Sequence, residues 1–521
     1  MKRLLSLVLV VTMMASMLVG CGGNKNSDTA GTDDSSDKNI ADTLVVAQSA
    51  DPRGLDPALV DDGESSKIMC QIYEGLLKYD ADSTEVLPSL AKKWEISEDG
   101  LEYIFYLEEG VKFHDGTDFN ADAVKYNIDR QTVNKTEDMA YAGFVYEYVD
   151  SVEVVDEYTV KIILSEKCTP FLNNIAMSMS APIVSPTALK ENNNNVNECP
   201  VGTGPYKFVR WDKEESVVLV RNDEYRGTVA KTKNVIFKTI ADASAKVVAL
   251  TNGEVDIIDG IDANVVDQIT SAGYTLNQTE GMNINYMAYN TEVLTDVEVR
   301  KALSQAINVE ELVQSLYQGY STSATSILPT FMAGYSDDVT QVTYDVDAAK
   351  ATLKAKGITS VHMITYTNAR NYNTATGQTL AEAIQGYFAK VGVTATIEQY
   401  DWTTYKEKVS AGDYDICFYG WIGDNGDADN FLNLLASEDP TMNCARYNNE
   451  EFNSLLAEAI SIENGEERNA IYAQIEQLVS DQAVWLPISH AQLLSGQNPA
   501  VKDFSYHMTG NFWLKDTYKM K

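Results

Sequence analysis

Apolar and polar positions change period along this chain, and the change divides it. In the first part, Tyr103-Ile104-Phe105-Tyr106-Leu107, the stretch 159–164 and the apolar runs 44–46 and 216–220 predict strands. Helical stretches interrupt them at 65–77 and 121–131. Beyond Asp296 the spacing lengthens: Val299, Leu303, Ala306 and Ile307 recur as one helix face within 297–316, and 345–355 and 379–391 repeat the pattern. Strand and helix then alternate, with strands at 362–367, 393–399 and 414–421 and helices at 379–390 and 402–411. That order predicts an α/β lobe with a partly parallel sheet. In such sheets ligands sit beyond the carboxyl ends of the strands, which directs attention to the loops after Thr367 and Trp421. No short internal repeat is evident, which argues against solenoids and propellers.

One apolar run does not belong to this alternation. Met1-Lys2-Arg3 is followed by residues 4–19, apolar except for Ser6, Thr12 and Ser16. The run has the length of a secretory core and is short for a membrane span. It ends in Leu18-Val19-Gly20-Cys21, which resembles the bacterial lipobox, so residues 1–20 are expected to be a signal peptide and Cys21 the lipidated residue. An ordinary signal peptide with a chance cysteine is the alternative. Residues 21–42 are rich in Ser, Thr, Asp and Gly and predict a flexible tether, with a reach of roughly 70 Å if fully extended. No second apolar run is long enough to span, so the expectation is a chain anchored to a membrane without crossing it.

Charge and motifs narrow the function classes. Lys and Arg number 40 against 76 Asp and Glu, a net charge of -36, which argues against nucleic acid or anionic headgroups as partners. Besides Cys21, the cysteines are Cys70, Cys168, Cys199, Cys417 and Cys444; their odd number and the absence of CxxC predict few or no disulfides. His114, His362, His490 and His507 are widely separated, and no HExxH, GxSxG or Walker loop occurs. Neither catalysis, nor a metal site, nor a cofactor is expected.

Four blocks then occur in order: Leu90-Ala91-Lys92-Lys93-Trp94-Glu95-Ile96-Ser97-Glu98-Asp99-Gly100; Gly110-Val111-Lys112-Phe113-His114-Asp115-Gly116; Gly202-Thr203-Gly204-Pro205-Tyr206; and Asp296-Val297-Glu298-Val299-Arg300-Lys301-Ala302-Leu303. Together they resemble the peptide/nickel-type extracellular solute-binding proteins of family 5, the receptors of bacterial ABC importers. The blocks themselves read best as scaffold, with Trp94 and Phe113 filling core. The resemblance implies a bilobal α/β fold of the periplasmic-binding-protein type, with a hinge between lobes. Lobe I would comprise 43–282 with an extra subdomain and return at 491–521, and lobe II would be 283–490. It also implies a monomeric receptor outside the cytoplasm that delivers its solute to permease subunits driven by separate ATPases. A lipoprotein adhesin or signalling receptor that inherited the fold is a reading of another class.

The family binds peptides, nickel complexes, haem and some sugars, and two segments bear on the choice. The loop Gly420-Trp421-Ile422-Gly423-Asp424-Asn425-Gly426-Asp427-Ala428-Asp429-Asn430-Phe431 resembles that of dipeptide-binding proteins, whose first loop aspartate holds the peptide ammonium. That role maps to Asp424. Arg370-Asn371-Tyr372-Asn373 resembles an Arg-Pro-Tyr-Asn segment whose arginine takes the peptide carboxylate, with Asn371 in place of Pro. The resemblance thus implies a ligand site of Asp424, Arg370, Trp421, Tyr372 and Gly423, with Trp421 and Tyr372 as apolar walls. The chemistry is consistent with this: a zwitterion enclosed by protein needs a counter-charge at each end, a guanidinium fork suits a carboxylate, and an ionised carboxylate is acceptor-only. Asp427 and Asp429 are expected to shape or support the turn. Calcium is a weaker reading of the acidic loop, whose spacing lacks the EF-hand pattern.

Overall fold

The computed structural model describes residues 39–139 and 141–521. The expected signal peptide at 1–20, Cys21 and most of the expected tether lie outside the described residues. Among the described residues the main sheet has twelve strands arranged about one long strand, Trp485–Gln497. Toward its amino end this strand pairs antiparallel with Asn283–Tyr289 and Ser321–Ser323. Toward its carboxyl end it pairs with Thr275–Glu280 and Ile257–Ile258. The partner changes at Ala491 and Gln492, so one strand belongs to two arms of the sheet.

The first arm continues through Thr43–Gln48, Asn234–Thr239, Ser216–Arg221 and Tyr206–Asp212. Beyond it, a separate antiparallel sheet of Ala91–Ile96, Glu102–Leu107, Thr159–Leu164 and Val149–Asp156 packs against the helix Ala121–Gln131. Phe105, Phe113, Phe119, Val124, Ile128 and Ile162 form its core, with Trp94 packed at the margin. Gly202 and Gly204 allow a close backbone approach. A Cβ at either would lie 2.2 or 2.7 Å from the carbonyl oxygen of Ile72. The first three blocks are therefore scaffold, and so is the fourth. Asp296 caps the helix Val297–Gln305, while the buried Arg300 donates to the carbonyls of Leu294, Gln482 and Ala483.

The second arm runs from Asn283–Tyr289 through Ile416–Ile422 and Ser360–Tyr366 to Thr394–Tyr400. Its inner strands are buried on both faces, as in sheets covered by helices: all seven residues of Asn283–Tyr289 are buried. The helix Gly377–Lys390 carries the chain from Ser360–Tyr366 to its parallel neighbour Thr394–Tyr400. The helix Trp402–Ala411 returns it to Ile416–Ile422, parallel to Ser360–Tyr366 on the other side. The alternation expected from sequence is present within one or two residues.

Several elements differ from the sequence reading, three of them instructively. The stretch 297–316 is two helices, Val297–Gln305 and Val309–Tyr317, because Asn308 caps a new amino terminus by accepting from the amide of Glu311. The helix expected at 65–77 spans Gly63–Ile72, after which the chain extends and enters the strand Leu77–Tyr79. The strand Trp485–Gln497, which joins the two arms, has no counterpart among the expected elements. Cys70, Cys168, Cys199, Cys417 and Cys444 are free thiols.

Candidate functional site

Ser360–Tyr366 and Ile416–Ile422 are parallel neighbours in register, Met363 opposite Ile416 and Ile364 opposite Cys417. Their carboxyl ends therefore open at one edge of the sheet. The turn that carries Arg370 follows the first strand and the loop that carries Asp424 follows the second, where α/β sheets place their ligands. Two segments that sequence reading singled out separately thus leave adjacent strands.

Asp424 is partly buried. Its amide donates to Asn430 Oδ1 at 3.1 Å, Asn430 Nδ2 donates to its Oδ2 at 3.3 Å, and the Tyr141 hydroxyl donates to its Oδ1 at 2.8 Å. Burial pushes its carboxyl up to about 6, against the lowering effect of the Tyr141 and Asn430 hydrogen bonds. Hydroxyl and amide donors thus offset only part of the desolvation. The next residue is held from the same side of the molecule as Tyr141: Asn173 Nδ2 donates to the Asn425 carbonyl at 3.0 Å, and Asn425 Nδ2 donates to Asn174 Oδ1 at 2.7 Å. Gly426 has φ +73°, and a Cβ there would come within 2.4 Å of Thr84 Cβ, so glycine is required on both counts.

The other acids of the loop act inward. Asp427 makes a bidentate ion pair with Arg468, at 2.6 and 2.9 Å, and its Oδ1 also accepts from the amide of Asp429. Asp429 is buried, and its carboxyl is held well above the usual range by burial first and by the Asp427 charge second. Both shape and support the turn, as expected. Trp421 is partly buried and donates through Nε1 to Asn430 Oδ1 at 2.8 Å. Gly423 donates to the Met282 carbonyl, and a Cβ on it would meet Phe431 and Met282 at 2.6 and 2.8 Å. Its place is set by close packing against the entrance to the strand Asn283–Tyr289.

Arg370 is held differently. Its main chain exchanges hydrogen bonds with Asn373 at 2.8 and 2.9 Å, which closes the turn, and its guanidinium lies 3.5 Å over the ring of Trp402. Among the described residues it has no carboxylate partner. Tyr372 is buried between Gly420 and Tyr366, with the Tyr366 ring edge-on at 6.3 Å. Asn373 accepts from Tyr317 and donates to Tyr366, which fixes the base of the turn. Tyr366, Trp402, Tyr405 and Tyr419 form a connected aromatic floor beneath it.

Sequence reading missed Tyr141, Trp402, Asn430 and Arg468. Tyr141 and Arg468 are distant in sequence and carry no local signal. Trp402 follows Asp401, which caps the next helix, so its position at a strand end was legible even though its partner was not. The histidines are engaged elsewhere: His114 with the Gly204 carbonyl, His490 with that of Asn283, His507 with that of Ser83, and His362 at 3.6 Å from Glu398. No cluster of three or more His, Cys, Asp or Glu suited to a metal ion occurs among the described residues.

Comparison with known proteins gives this arrangement its setting. The heme-binding protein A of Haemophilus influenzae is 33% identical over 530 residues, covering 95% of this chain and 96% of that protein. The dipeptide-binding protein of Escherichia coli is 32% identical over 495 residues, covering 89% and 92%. A periplasmic binding protein of Helicobacter pylori, solved in complex with the peptide STSA, superposes with a TM-score of 0.78 at 30% identity, covering 93% of this chain and 99% of that one. The profile described as "Bacterial extracellular solute-binding proteins, family 5 Middle" matches residues 85–443. The chain belongs to the bacterial extracellular solute-binding proteins of family 5, whose fold it has and whose members bind solutes rather than transform them.

Proposed function

We propose that this protein captures short peptides, dipeptides first among them, and delivers them to the permease of an ABC importer. The observation that carries the reading is the pair of loops at one sheet edge. Among the described residues, one presents a carboxylate that has only hydroxyl and amide partners, and the other a guanidinium stacked on an aromatic ring with no carboxylate partner. A zwitterion with its ammonium on Asp424 and its carboxylate on Arg370 supplies both missing charges. Residues 43–282 with 491–521 form one lobe in this reading and 283–490 the other, and closure between them encloses the peptide. Cys21 carries the lipid that tethers a monomeric receptor outside the cytoplasm, and the permease with its ATPases supplies the energy. The kinship to a heme-binding protein keeps haem, nickel chelates and longer peptides as rival ligands.

Mass spectrometry of gently extracted protein tests these points together. The expected result is a monomer with a lipid mass on Cys21 and a retained short peptide. Calorimetry should then show binding of the free dipeptide, and much weaker binding of its N-acetylated and C-amidated forms. Retention of haem or a metal chelate, with no dipeptide binding, would refute the peptide reading and leave the family intact.

A further inference from the structure

Arg468 lies 2% exposed on the helix Glu466–Asp481, away from the strand ends, and its donors reach three different segments. Its fork holds Asp427, itself 5% exposed, and Nη2 also donates to the Tyr472 hydroxyl at 2.6 Å. Nε donates to the carbonyl of Ala459 at 2.7 Å, and Nη1 to Asn464 Oδ1 at 2.7 Å. The last two contacts fix the segment that leaves the helix Glu450–Ser461. That same segment is gripped from the region of the separate four-stranded sheet: the Thr169 amide donates to the Ile460 carbonyl at 2.9 Å and its hydroxyl to that of Ile462 at 2.7 Å.

On its other side Arg468 leads to the site. Asp427 begins the turn in which the Asn430 amide bonds the Asp427 carbonyl, and the Asn430 side chain holds both the amide and the carboxylate of Asp424. Two of the contacts between the second arm and the region of the four-stranded sheet, Tyr141 with Asp424 and Thr169 with the carbonyls of Ile460 and Ile462, are therefore tied through one buried guanidinium. Lysine cannot reproduce that tie, because an ammonium has neither the fork for Asp427 nor the reach to serve Ala459 and Asn464 together.

We infer that Arg468 is a positioning residue that couples the loop bearing Asp424 to the Thr169 contact, so that the Tyr141–Asp424 contact and the Thr169 contact form and release together. The binding consequence rests on the peptide reading above; the coupling itself does not. A coupling of this kind is reciprocal: loosening either contact loosens the other.

Amide hydrogen exchange on the full mature chain without ligand reads both ends directly, since the Asp424 amide bonds Asn430 and the Thr169 amide bonds Ile460. Arg468→Lys should speed exchange at both amides by at least about tenfold. It should also lower dipeptide affinity by a similar factor and shrink the discrimination against the N-acetylated form. Thr169→Val leaves Arg468 and Asp427 untouched, so it decides the matter even if Arg468→Lys folds poorly. It should speed exchange at Asp424. Unchanged exchange at Asp424 in Thr169→Val, or at Thr169 in a folded Arg468→Lys, would overturn the coupling. If wild-type protein binds the dipeptide and its N-acetylated form alike, the peptide reading fails, and the two amides still decide the coupling.

Discussion

The loop after Ile416–Ile422 and the turn after Ser360–Tyr366 leave neighbouring parallel strands at the same edge, yet they are built in opposite ways. Around Asp424 the chain is over-determined. Asn430, Tyr141, the Asn173–Asn425–Asn174 bonds and the Asp427–Arg468 pair all bear on a few residues of the loop, drawn from the second arm and from the region of the separate four-stranded sheet. Around Arg370 the backbone turn is fixed at its base by Asn373, while the guanidinium rests on Trp402 and meets no carboxylate among the described residues. The contrast fits the physics of the two charges. A carboxylate drawn partly out of water needs donors to offset desolvation, which a loop held by many bonds supplies. A guanidinium stacked on an aromatic face keeps its fork free for a planar anion. The Asp424 loop is preorganised and the Arg370 turn is poised.

The largest effect should come from the preorganised end. Asp424→Asn keeps the shape and the Asn430 bonds but removes the charge that an ammonium needs. Breaking one partner of a buried pair costs about 3–5 kcal/mol, and the site is only partly buried, so the low end applies: on the order of a hundredfold in dipeptide affinity by calorimetry. N-acetylation should then matter far less in the variant than in wild type. Undiminished binding of free dipeptide by Asp424→Asn would remove the basis for calling this loop the ammonium site.

A smaller loss is expected at the poised end. Arg370→Ala should weaken dipeptide binding by about tenfold, because the guanidinium is partly exposed and a partly solvated pair contributes less than a buried one. Arg370→Lys should fall between, retaining charge without the fork. The distinguishing measurement is ligand amidation: C-amidation should cost wild type most and Arg370→Ala least. An equal penalty in both would show that the carboxylate is bound elsewhere.

How much of the fold and the site was legible in the sequence depends on where each constraint acts. The alternating strands and helices of 360–422 are local patterns, and they lie where the spacing put them. So do the two loops, since each is simply the segment after a strand. The split of 297–316 turned on one capping residue, Asn308, which a hydrophobic period does not register. The strand Trp485–Gln497 mixes faces because each end pairs in a different arm, so no single period describes it. The partners of Asp424 and Asp427 are harder still. Tyr141 stands 283 residues from Asp424, and Arg468 stands 41 from Asp427. Nothing in the local sequence of either marks the meeting. By residue type the loop acids are alike, and it is their long-range partners that differ: Asp427 is paired with Arg468 in the scaffold, while Asp424 meets only hydroxyl and amide donors among the described residues.

The smallest effect tests whether Tyr141 tunes Asp424 or merely covers it. An aspartate in an unfolded chain titrates near 3.9, while burial holds Asp424 at about 6 in the fold. Between those values the folded chain keeps a proton that the unfolded chain has lost, so this group costs stability as pH rises from about 4 to 6. Above about 6 the carboxylate is ionised in surroundings that disfavour it, which is the state an ammonium relieves. Dipeptide affinity should therefore fall as pH falls through about 6, and the peptide should raise the melting temperature more at pH 7.5 than at pH 5. Tyr141→Phe removes a hydrogen bond that lowers the Asp424 titration, so the acid midpoint of binding should move upward. At pH 7.5 the affinity loss should stay below about tenfold, since the bound ammonium replaces part of what the hydroxyl supplied. Calorimetry across pH 5–8 on both proteins separates the cases. A midpoint that stays in place while affinity drops equally at every pH would mean that Tyr141 acts by contact with the ligand and leaves the charge of Asp424 alone.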